Sequence, residues 1–164
     1  MPHRNTNGEP MNDHMICVVF AFIREREHGP EDESNPTLVT KCRRTGMLTA
    51  DLMRTKDHDF GVRRMVQTIE KIYGYKRVII KGDGEPALQS LIDKVRILGR
   101  FEAPEEGVPV GDSQSAGDVE NAVERVEAQI RTIKSALECR IKAAVPEEHP
   151  IIGWLIRHSA QVIN

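Results

Sequence analysis

Two carboxylates stand where a fold can gather chemistry. Asp83 follows the apolar run Val78-Ile79-Ile80 in the segment Lys81-Gly82-Asp83-Gly84-Glu85-Pro86-Ala87-Leu88, and Glu120 comes 37 positions later, at the start of an amphipathic repeat. An acid at the C-terminal end of a strand and another in the first turn of a helix sit on rigid elements, which fix geometry better than loops do. Carboxylates converging from different elements can hold two divalent cations about 4 Å apart. One cation activates an attacking oxygen and the other stabilises a leaving oxygen, the chemistry of phosphoryl transfer between nucleic-acid oxygens. Oxygen donors with open water positions select Mg2+ or Mn2+. Each acid also has an ordinary reading: Asp83 as the turn residue of a Gly-Asp-Gly bend, and Glu120 as an acid favoured by the positive end of its helix.

Holding those acids requires a sheet and helices. Met15 to Ile23 is β-rich and almost continuously apolar, which predicts a central strand covered on both faces. Thr37 to Cys42 and Met47 to Met53, joined by a turn containing Gly46, complete an antiparallel meander. From Asp57 or Asp59 as N-cap, Val62, Met65, Val66, Ile69 and Ile72 recur at helical spacing as far as Gly74. Arg77 to Lys81 is a short strand, and Pro86 opens a helix with Ala87, Leu88, Leu91, Ile92 and Val95 on one side.

Phe101 is the candidate for a brief fifth strand, and Ala103 to Gly117 reads as a Pro-, Gly- and Ser-rich loop expected to move. Val119, Val123, Val126, Ile130, Ile133 and Leu137 step by 4, 3, 4, 3 and 4, giving a long amphipathic helix that Pro146 ends. Its charged residues Glu124, Arg125, Glu127, Arg131 and Lys134 are expected to face out. A last helix, His149 to Ile163, carries Ile152, Leu155, Ile156, Ala160 and Ile163, with Trp154 read as core. Three strands followed by alternating helices and strands predict an α/β mixed sheet covered by helices.

At 164 residues the chain fits one domain, with residues 1 to 14 as a polar, flexible leader and 15 to 164 as the domain proper. A net charge of −2 lacks the basic excess that announces nucleic-acid binding, so any DNA contact must come from a local patch. Cys17, Cys42 and Cys139 are odd in number and widely spaced, which argues for reduced thiols and an intracellular protein. The six histidines lack the paired spacing of a zinc module. The longest apolar stretch is too short to cross a bilayer, so no membrane partner is expected.

The Gly82-Asp83-Gly84-Glu85-Pro86-Ala87-Leu88 segment, the Pro109-Val110-Gly111-Asp112-Ser113-Gln114-Ser115 segment ahead of Glu120, and His149-Pro150 with Trp154-Leu155 carry a family resemblance. From about Cys17 to its end the chain resembles the integrase (rve) core of retroviruses and retrotransposons, in particular integrases of retrotransposon polyproteins. The resemblance implies a ribonuclease H-like fold, a five-stranded mixed sheet flanked by helices, and DNA strand transfer with Mg2+ or Mn2+. Asp83 and Glu120 would then be the second and third acids of a D,D,E triad, serving as catalytic residues and metal ligands. DNA would be the partner, contacted by Gln114, Ser115, Lys81 and Arg131, with a homodimer formed through helices and the nucleus as a compartment. The ordinary reading of these four is loop residues and the solvated side of a helix.

The first acid departs from the pattern. The best register lays Val18-Val19-Phe20-Ala21-Phe22-Ile23 on the strand that carries it, so Val19 takes the acid's position, and a valine holds no cation. Asp13, six residues upstream, is the alternative, but six extended residues displace a side chain by roughly 20 Å. Asp51 is a further acid, on the third strand, where the family has no catalytic residue. The expectation is a retrotransposon-derived fragment with impaired catalysis and at best a weak metal site. The alternative is a non-catalytic nucleic-acid-binding or protein-interaction domain that keeps the fold.

Overall fold

Alternation along the first strand decides how the layers stack. A computed structural model of the chain describes residues 14–23, 35–54, 58–105 and 113–164; Asp13 and the rest of the expected leader up to it lie outside them. β1 (His14–Ala21), β2 (Thr37–Cys42) and β3 (Leu48–Leu52) form the antiparallel meander, and β4 (Val78–Lys81) joins β1 in parallel, so the sheet order is β3-β2-β1-β4. Ile16, Val18 and Phe20 of β1 enter one core with Leu38, Val78, Ile80 and the apolar sides of α1 (His58–Gln67) and α2 (Pro86–Leu98). Val19 and Ala21, on the opposite face, pack with Val39, Leu48 and Ala50 against α3 (Ser113–Ile141) and α4 (Ile151–Ile163). Successive strand side chains point to opposite faces, so a continuously apolar β1 is what a sheet covered on both sides requires.

The helix after β3 runs on from α1 as a π-helical turn, Thr68–Tyr73, and stops at Gly74, whose φ of 70° closes the turn with its N–H bonded to the Ile69 carbonyl. Asp51 is only 2% exposed, and its Oδ1 accepts Nε–H donors from Arg64 of α1 and Arg157 of α4, each at 2.8 Å. On edge strand β3 it ties the two helical layers together.

Several expectations are corrected. The fifth strand is absent among the described residues: Glu102 makes one parallel bridge to Arg77, with Val78 N–H donating to the Glu102 carbonyl at 2.9 Å. Pro104 cannot donate to a ladder, which limits any extension there. α3 begins at Ser113, inside the expected loop, so Glu120 lies two turns into the helix rather than in its first turn. Ser113 to Ala116 contain no helix breaker, and a single glycine, Gly117, costs only about 1 kcal/mol.

At its other end α3 stops before Pro146, at Lys142 with φ 54°, and the Glu138 carboxylate accepts the Val145 N–H at 2.7 Å. Lys134 points inward and is 3% exposed, its ammonium 2.9 Å from Glu138. Trp154 is surface rather than core: α4 buries Leu155, Ile156, Ser159 and Ala160, leaving Trp154 56% exposed and stacked on His158 at 4.5 Å.

Candidate functional site

The Gly-Asp-Gly segment is shaped by packing as much as by chemistry. A Cβ on Gly82 would lie 3.0 Å from Ile92 Cδ1 and from Leu88 Cδ2, so a larger residue there would push those side-chain ends of α2 aside by a few tenths of an ångström. Gly84 has φ 88°, a left-handed conformation that costs an L side chain roughly 1–2 kcal/mol. Between them Asp83 is exposed, and its Oδ1 accepts the Glu85 N–H at 3.0 Å, turning the chain into Pro86 at the start of α2. The turn role is therefore filled, and the exposed carboxylate keeps further acceptor positions.

The parallel ladder sets His14 beside Val78, Met15 beside Ile79, Ile16 beside Ile80 and Cys17 beside Lys81. Carried two residues past the last pair, the same register brings Val19 opposite Asp83. Val19 faces the α3 layer, where it shares a core with Ala122, Val123 and Val126. Glu120 is exposed and precedes Val123 by three residues, on the same flank of the helix.

No protein-family model matches the sequence, and neither does any curated protein. Among solved structures, the HTLV-2 integrase catalytic core domain with magnesium superposes in its trimeric form with a TM-score of 0.60, at 13% identity over 93% of this chain and 85% of that one. Its dimeric form gives 0.58 at 12% identity over 93% and 86%. The BIV integrase catalytic core domain gives 0.59 at 14% identity over 93% and 84%. The fold is that of a retroviral integrase catalytic core.

At the level of Asp83 the extended register thus offers Val19, an apolar side chain that holds no cation. Among the described residues no group of three or more His, Cys, Asp or Glu side chains stands close enough to hold a metal. Asp83 and Glu120 are thus two exposed donors without a described third, a set that does not fit a pair of divalent cations.

The other expected contacts are dispersed. Lys81 lies half-buried in the cross-strand row Lys81–Cys17–Lys41, one pleat from Val19 and on its face of the sheet. Arg131 is exposed on α3, eleven residues beyond Glu120 and so roughly 16 Å along the helix from it, too far to act at the same group. Gln114 and Ser115 fall in the first turn of α3, and their side chains lie outside the described residues.

Three polar residues at this face escaped sequence reading. Asp118 of α3 lies 3.8 Å from Lys41 Nζ and 3.5 Å from Arg43 Nε, and Lys41 Nζ also donates to the Asp118 carbonyl at 3.3 Å. The available signal was a lysine as the one charged residue of β2, on the same side as Val39.

The far face holds a polar cluster. Tyr75 stacks on His14 at 3.7 Å and on Tyr73 at 5.4 Å, and its hydroxyl meets the Cys42 thiol at 3.0 Å. Burial, helped by the thiol, pushes Tyr75 up to about 12, and burial also raises Tyr73. Burial acts to raise Cys42 as well, but hydrogen bonds from Thr45, Tyr75 and the local backbone outweigh it and lower the thiol's pKa.

Proposed function

We propose that this chain is an integrase-core-like domain of retrotransposon ancestry that binds DNA inside the cell and whose strand-transfer chemistry is impaired. The observation that supports the reading is Val19: it lies on the face that α3 covers, and the β1–β4 register, carried two residues past its last pair, sets it at the level of Asp83, where the reading needs a third carboxylate. Asp83 and Glu120 remain the surviving acids, and on their own they are a weak site for Mg2+ or Mn2+. A homodimer through α4 fits the same reading, because Trp154, His158 and Val162 form an outer stripe on that helix, with Trp154 56% and Val162 52% exposed.

A non-catalytic protein-interaction domain is the second reading. It is favoured by the cleft beside that stripe, lined by Leu52, Met53, Pro150, Trp154 and Arg157. Titration of duplex DNA followed by anisotropy, paired with calorimetric titration of Mg2+, separates the two. DNA binding with metal heats at background supports the first reading. No DNA binding in low salt overturns it in favour of the second.

A further inference from the structure

On the sheet face that α3 covers, one acid of that helix, Asp118, is paired with two cations of the β2 end, Lys41 and Arg43. Lys81, Cys17 and Lys41 lie side by side on β4, β1 and β2. Strands are about 4.8 Å apart, so the two lysine Cα atoms stand roughly 10 Å from each other across β1. Arg43 follows on the β2–β3 turn, with its backbone N–H donating to the Met15 carbonyl at 2.9 Å, which fixes the start of its side chain. Asp118 sits over Lys41 and Arg43, and all three side chains are partly exposed, at 14% for Lys41, 31% for Arg43 and 32% for Asp118.

These ion pairs are long, and exposed pairs of this kind hold weakly. A phosphodiester presents the same anionic oxygens as the Asp118 carboxylate, and Arg43 is suited to take it in a forked contact. Where a triad meets phosphates through bridging cations, a site with Val19 has less negative charge and two lysines beside it, which favours direct contact with phosphate.

We infer that Lys41 and Arg43 form a contact site for nucleic-acid backbone phosphate, with Asp118 as the internal anion that phosphate displaces. The inference rests on the DNA-binding reading above and extends it to residues that reading does not include. Because phosphate contacts carry no base information, the contact is independent of sequence.

The test is duplex DNA binding by anisotropy between 50 and 200 mM salt for the wild-type chain, Arg43→Gln, Lys41→Gln/Arg43→Gln, Arg43→Lys and Asp118→Asn, each checked by thermal melting. Each lost phosphate contact lowers the log–log salt slope by about 0.9, so the double variant is expected to lose about twelvefold less affinity than wild type over that range. Asp118→Asn binds roughly fivefold tighter at 50 mM, since two weak ion pairs no longer compete, and Arg43→Lys retains the wild-type slope.

If wild type binds DNA but the double variant and Arg43→Gln keep its slope, the inference is overturned and the DNA-binding reading stands. A folded Asp118→Asn protein that binds more weakly than wild type overturns the displacement. If the wild-type chain itself does not bind, both readings fall together.

Discussion

Replacing Val19 by aspartate tests whether this position is where the first acid belongs. Val19 is half-buried against the α3 layer, so losing its side chain removes about 1 kcal/mol of apolar burial, roughly half the value for a fully buried valine. The new carboxylate would lie one strand spacing, about 5 Å, from the level of Asp83, where like charges repel by about 3 kcal/mol at an effective dielectric of 20. Asp83 is exposed, so solvent reduces that figure, and the metal-free variant should lose about 2–3 kcal/mol. At about 3 °C per kcal/mol for a chain of this size, its Tm falls by roughly 6–9 °C.

Mg2+ or Mn2+ bound by three carboxylates reverses part of this loss. At ten times its Kd a ligand returns about 1.4 kcal/mol, or roughly 4 °C. Thermal melting of wild type, Val19→Asp and Val19→Asn over a metal titration reads the effect: a metal-dependent rise in Val19→Asp alone is expected. A folded Val19→Asp protein that responds to metal no more than wild type would refute the assignment of position 19.

The rest of the structure supports two further predictions. Asp51→Ala removes the buried carboxylate that two guanidinium groups share and should cost about 2 kcal/mol in urea unfolding, the value of lost charge-assisted hydrogen bonds, because Arg64 and Arg157 keep 16% and 45% of their side chains exposed and rehydrate. At alkaline pH the raised tyrosines set the sign: the folded state keeps the proton that the unfolded chain releases near 10, so stability is full below about 10. It falls as pH rises towards the folded Tyr75 value of about 12, and Tyr75→Phe should flatten that fall in a pH series of urea melts.

The strands and their covered faces were legible because β1, β2 and β3 carry their burial in residue type, and the Gly-Asp-Gly bend was legible because glycine marks both close packing and left-handed backbone. The assignment of Val19 rests on a resemblance, and the β1–β4 ladder itself ends two residues earlier, at Cys17 and Lys81. The start of α3 was hidden because Ser and Gln suit helix and loop alike, and the Pro, Gly and Ser content of the segment as a whole favoured loop. The burial of Lys134 was hidden because a lysine on an amphipathic helix is usually solvated; its i,i+4 partner Glu138 was legible in the spacing, but only packing buries the lysine stem beside it. Trp154 was misjudged because its neighbours are apolar, yet the helix turns the indole away from the face that they bury. Lys41 alone stood out, as the one charge in β2; its pairing with Asp118 was not legible because the contact joins residues far apart in sequence.

The central claim is that two acids survive here without the chemistry of three. A magnesium- or manganese-dependent nicking and strand-transfer assay on the wild-type chain, run beside Glu120→Ala, tests it most directly. The account predicts product no greater from wild type than from Glu120→Ala. Robust product from wild type that Glu120→Ala abolishes would contradict it.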